Sequence, residues 1–113
     1  MKKYLALFVA PVEAYDKMKA DMKTQSPEEQ QKGMAEWERW MTTHKANLVD
    51  PGAPVGSAKR VTTSGVTDAH NTIGGYMIVQ AENADEAAKL FNDMPHFGVA
   101  DAAIEVMEIV PMA

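Results

Sequence analysis

The chain has no cysteine, which removes disulfides, thiolate metal sites and cysteine nucleophiles at once. A reducing compartment fits that absence, and a cytoplasmic location is expected. The histidines are few: His44, His70 and His96. No two have the close helical or hairpin spacing of a metal site, and no His-Glu-x-x-His pattern occurs. Gly74-Gly75 is too short to cradle a phosphate and reads as room for a bulge where a strand begins. Neither a metal nor a cofactor is therefore expected. Cations are outnumbered, eleven Lys and Arg against sixteen Asp and Glu, for a net charge of −5. They are scattered, with local doublets at Lys2-Lys3 and Lys59-Arg60, so the concentrated basic face that a nucleic acid requires is missing. No apolar run approaches the ~20 residues of a membrane helix. Lys2-Lys3 followed by apolar Tyr4 to Val12 has the outline of an export signal. A cleavage site near Ala14 would make it shorter than the usual ~15–30 residues, and Pro11 and Glu13 sit badly around it. That segment reads better as a first strand.

What is present is enough for one α+β domain spanning 1–113. A chain of this size buries very roughly two-thirds of its unfolded surface and needs no staples. Along Lys3 to Val9 both alternations are apolar, Tyr4, Ala6 and Phe8 against Leu5, Leu7 and Val9, as in a central strand covered on both sides. Val12, Tyr15, Met18 and Met22 at helical spacing suggest a short amphipathic helix or an ordered loop. Ser26-Pro27-Glu28-Glu29 is a helix start, with a capping serine, a proline in the first turn and a glutamate three residues on. Met34, Trp37, Met41, His44 and Leu48 then form a stripe wide enough to cover one face of a sheet, broadened by Trp40.

Asp50-Pro51-Gly52-Ala53-Pro54 with Gly56 reads as a loop, Ser57 to Thr63 as a polar edge strand, and Gly65 to Thr72 as a turn. Tyr76 to Ala81 is again apolar on both sides. Asn83 caps a second helix with Ala84, Ala87, Ala88, Phe91 and Met94 on its stripe, ending before Pro95. Ile104 to Val110 reads as a last strand near an edge. The order strand, helix, strand, strand, helix, strand, joined by right-handed crossovers, specifies the ferredoxin-like βαββαβ fold. That fold places its first and third strands centrally, and these are the two segments that read apolar on both faces.

Lys3-Tyr4-Leu5-Ala6-Leu7-Phe8, the Ser26 helix start and the Val49-Asp50-Pro51-Gly52-Ala53-Pro54-Val55-Gly56 segment resemble the YCII-related family. So do Gly75 to Val79 running into Ala84-Asp85-Glu86-Ala87, and the Pro95-His96 step. The resemblance implies a dimeric α+β barrel, in a group that includes isomerases, a dehalogenase and small monooxygenases. Its better-studied branch has a proposed acid–base dyad of a histidine early in the first helix and an aspartate near the end of the second. Here Glu28, Glu29, Gln30 and Gln31 occupy the first place and Met94 stands before Pro95, so the dyad does not carry over.

Among the remaining polar residues, His96 is the candidate acid–base group. It follows a proline in an apparent loop, with Asp101 and Glu105 near in sequence to tune it. On that reading His96→Ala abolishes turnover and moves the melting temperature little. Packing alone explains it about as well. His44 combines a place on the long stripe with a helix end that favours a cation, or else reaches a cleft. His70 lies in a polar, turn-like segment with Asp68 and Asn71. Arg60 is either an edge-protecting charge or a carboxylate clamp. Trp37, Tyr76 and the nine methionines line either a core or a pocket between sheet and helices. The function expected is binding of a small molecule, or cofactor-independent proton transfer on it, in that pocket. The alternative is a non-catalytic dimeric module that regulates a protein partner. A homodimer is expected in both cases, because a sheet face or edge bearing Ile104, Val106 and Val110 invites pairing.

Overall fold

The computed structural model describes residues 1–112. Strand β1 (Lys2–Val9) leads into helix α1 (Val12–Thr24), then α2 (Pro27–Thr43) and strand β2 (Leu48–Pro54). Strands β3 (Ala58–Thr62) and β4 (Gly65–Ala69) follow, then β5 (Ile73–Ala81), helix α3 (Ala84–Lys89), a 3₁₀ turn over Pro95–Gly98, and strand β6 (Ala103–Glu108). The main sheet is antiparallel in the order β2-β5-β1-β6, and β3 and β4 pair apart from it. With that ribbon set aside as an insertion, the fold is ferredoxin-like, and β1 and β5 are its central strands as expected.

Helices α2 and α3 cover one face of the sheet. Tyr4, Ala6 and Phe8 of β1 meet Met77, Val79 and Ala81 of β5, with Trp40, Ala87, Phe91 and Met94 closing the layer. Phe8 stands edge-on to Trp37 at 5.5 Å between ring centroids, and Trp40 stacks on Phe91 at 5.3 Å. The Trp40 indole N–H donates to the Leu90 carbonyl at 3.0 Å, tying α2 to the end of α3. Both expected caps form: Ser26 Oγ accepts from the Glu29 amide and Asn83 Oδ1 from the Glu86 amide.

Several expectations change. The Asp50 to Pro54 segment is the edge strand β2 rather than a loop. Pro51 and Pro54 are tolerated on an edge, and Asp50 Oδ1 accepts from the Gly52 amide to shape a bulge. Gly52 has φ +66°, and a Cβ there would lie 1.8 Å from the Tyr76 carbonyl oxygen, so only glycine fits. Residues 57–72, expected as an edge strand and a turn, instead make the β3–β4 ribbon. The first half of α2 covers nothing: Met34 is 64% exposed. Leu48 lies in β2, and His44 is the C-cap of α2. Ile104 and Val106 pack on the core, because β6 pairs Phe8 with Ile104 and Ala6 with Val106; the other face receives Glu105 and Met107.

That other face carries Leu5, Leu7 and Val9 of β1 with Tyr76 and Ile78 of β5, and among the described residues no helix layer covers it. At its end the Tyr15 ring of α1 lies over Gly74, with the hydroxyl donating to the Phe8 carbonyl at 2.9 Å. The register slips there: Phe8 faces Gly75 and Val9 faces Ile73, making Gly74 the extra residue of the bulge expected at the double glycine. The radius of gyration is 15.7 Å, against about 13 Å for a compact chain of this length. The excess reflects two parts that leave the body, α1 with the first half of α2, and the β3–β4 ribbon.

Candidate functional site

The layer between sheet and helices is filled by Trp37, Trp40, Met41, Phe91 and Met94, so the pocket expected there does not form. Two clefts open elsewhere. One, about 520 Å³ and wide open, lies at the end of β1 and is lined by Val9 to Glu13, Thr72 and Asp101. The other, about 280 Å³ and more enclosed, lies where the last turns of α2 meet the segment after α3, lined by Glu36, Arg39, Trp40, Thr43, His44, Asp93 and Pro95.

The sequence candidates fall in separate places. Arg60 is exposed on the ribbon. Tyr76 is half-buried on the uncovered sheet face, and Trp37 belongs to the core layer. His70 is exposed beyond the end of β4.

His96 is not in a loop but buried in the 3₁₀ turn, 6% exposed. Its Nε2 lies 3.0 Å from the Val9 carbonyl oxygen and 3.2 Å from that of Ala103. Carbonyls only accept, so Nε2 carries the proton and ties the end of β1 to the start of β6. The ring packs against Phe8 at 5.3 Å. Asp101 lines the wide cleft and holds a left-handed backbone, φ +55°.

His44 stands differently. As the C-cap of α2 it is held by its own backbone N–H, which donates to the Trp40 carbonyl at 3.0 Å, while its ring lies against the Trp40 indole at 4.6 Å. The ring is half-buried, and its nitrogens face solvent, with no hydrogen bond to another side chain or carbonyl among the described residues. Helical spacing brings Glu36, Arg39 and Thr43 to the same rim, and the Asn92-Asp93-Met94-Pro95 segment supplies Asp93 from across the cleft. Thr43 donates its hydroxyl proton to the Arg39 carbonyl at 2.8 Å, leaving its oxygen to accept. The ion pairs of the described residues, Lys2–Glu108, Lys59–Asp68 and Lys89–Glu86, all lie elsewhere. The cleft therefore gathers an imidazole, a guanidinium and two carboxylates, none neutralised by another.

Sequence reasoning included His44 but missed Arg39, Glu36 and Asp93. Arg39 and Glu36 fall off the apolar stripe and resemble any solvated helix face. Asp93 carries no local signal, because only the packing of the α3 end against α2 brings it to the cleft.

No family model matches this sequence, and no curated protein matches it. Among solved structures the chain is similar to 5-chloro-2-hydroxyhydroquinone dehydrochlorinase (TftG) from Burkholderia phenoliruptrix AC1100, in complex with 2,5-dihydroxybenzoquinone. The two are 16% identical over 93% of this chain and 91% of that chain, with a TM-score of 0.48. A likeness that distant has no bearing on the reaction or ligand of this chain.

Proposed function

We propose that this protein binds a small polar molecule in the cleft at the end of α2 and exchanges a proton with it through His44. One observation carries the reading: a solvent-facing imidazole and charges of both signs without ion-pair partners line a single cleft. Charged side chains left unpaired around a concavity are available to a ligand, and an imidazole among them suits acid–base work. Trp40 holds the ring from below, and its own N–H is committed to Leu90. The chemistry requires no group that these residues do not supply. Deuterium exchange tests it even while the substrate is unidentified. Carbonyl metabolites and amino acids incubated with the protein in D₂O should include one that loses C–H signal faster than in buffer, and His44→Gln should remove about 10²–10⁴-fold of that rate. Equal rates for wild type and variant would dismiss the role.

A second observation favours self-association. Leu5, Leu7, Val9, Tyr76 and Ile78 form an apolar sheet face without a covering layer. A patch of that kind on a small soluble domain marks an interaction surface, and a second copy covers it with its own equivalent face, giving a dimeric α+β barrel of the YCII-related kind. The same surface serves the alternative function, a non-catalytic module docking a protein partner. His44-dependent exchange separates the two.

A further inference from the structure

Resting on that reading of the α2-end cleft, we infer that its ligand is a small zwitterion carrying a carboxylate and an ammonium group, of amino-acid size. Arg39 and Asp93 bring opposite charges from two sides, Arg39 on α2 with Glu36 one turn before it and Asp93 on the segment after α3. Glu36 and Arg39 stand three residues apart, a spacing at which a helix commonly forms ion pairs, yet they do not pair. Arg39 and Asp93 line one cleft of about 280 Å³ and do not bridge it. That volume lies just below the ~300–1,000 Å³ of drug-sized sites and suits a small metabolite.

An arrangement of this kind discriminates by repulsion as well as attraction. A monoanion paired to Arg39 meets the Asp93 and Glu36 carboxylates; a monocation paired to Asp93 meets the guanidinium. A molecule bearing both charges engages Arg39 and Asp93 together, where a singly charged one leaves one of the two unpaired. The guanidinium fork takes a carboxylate through two parallel N–H···O bonds. The Asp93 carboxylate accepts from the ammonium, and the Thr43 oxygen, its proton already committed to Arg39, adds a second acceptor.

Calorimetric titration of the purified protein tests the assignment, with the common L-amino acids as probes and 3-phenylpropionate and phenethylamine as single-charge counterparts of phenylalanine. At least one amino acid should bind about tenfold or more tighter than either single-charge compound. Arg39→Gln and Asp93→Asn should each weaken that amino acid by about tenfold or more, with unchanged melting temperatures because both side chains are exposed. Binding of 3-phenylpropionate or phenethylamine as tight as any amino acid would overturn the zwitterion while leaving the cleft as a binding site. Failure of every amino acid to bind would also overturn it, and His44-dependent exchange on other metabolites would then still uphold the proton-transfer reading.

Discussion

Truncating His96 should destabilise the fold markedly, contrary to the small effect expected when the residue reads as a catalytic group in a loop. The imidazole is 6% exposed and its Nε2–H serves the carbonyls of Val9 and Ala103, where β1 ends and β6 begins. His96→Ala leaves those carbonyls without their donor, at about 1–3 kcal/mol for a buried unsatisfied group. It also removes a ring packed against Phe8, adding about 1–2 kcal/mol of lost contact and cavity. A water entering the vacated space offsets part of the lost bond, so a net of about 2–4 kcal/mol is expected. For a chain of this length 1 kcal/mol corresponds to roughly 4 °C, which gives a fall in melting temperature of about 8–16 °C. Thermal unfolding followed by tryptophan fluorescence reads it directly, since Trp40 is in the core and Trp37 packs against it. Two further variants separate the terms. His96→Phe keeps a ring and loses the donor; His96→Gln keeps an N–H and loses the ring. Each should fall between wild type and His96→Ala. A shift under about 2 °C for His96→Ala would refute the tie.

Gly74→Ala places a Cβ 2.5 Å from the Tyr15 ring and should destabilise by about 1–3 kcal/mol in urea unfolding, with Tyr15→Ala in the same chain relieving most of the added strain. Burial pushes the Tyr15 hydroxyl above its ordinary value, against a smaller opposing pull from the Gly74 backbone. The folded state thus holds that proton longer than the unfolded state. Stability should be complete below pH about 10 and fall as pH rises beyond it, and Tyr15→Phe should flatten that slope. Sedimentation equilibrium at micromolar concentration should give twice the 12.4 kDa chain mass, and Leu7→Lys on the uncovered face should give the monomer. A wild-type monomer would dismiss the dimer.

The parts legible in the sequence are those whose physics is local or two-sided. Strands β1 and β5 announce themselves because both alternations are apolar, which only central strands require. The α2 and α3 starts are legible because Ser26 and Asn83 satisfy helix amides within three residues. Strand β2 is hidden because two prolines and a glycine normally break a strand. At an edge, exposed Pro51 and Pro54 do no harm, and Gly52 supplies a backbone that no other residue adopts beside Tyr76. The inward face of β6 cannot be read locally because Ile104 to Val110 has apolar residues on both alternations, and the pairing with β1 decides which side is inward. At the candidate site His44 is visible as a polar residue on an apolar stripe. Its partners are not, since Arg39 and Asp93 become neighbours of the same cleft only through the packing that the Trp40–Leu90 bond secures.

The most direct test of the account is where a small polar ligand lands. Amide and indole chemical shifts of the ¹⁵N-labelled protein, recorded while polar metabolites are titrated in, should move together at Thr43, His44, Asp93 and the Trp40 indole. Shifts confined to Ala10, Val12, Thr72 and Asp101 around the wide cleft, or to Leu7 and Tyr76 on the sheet face, would contradict it.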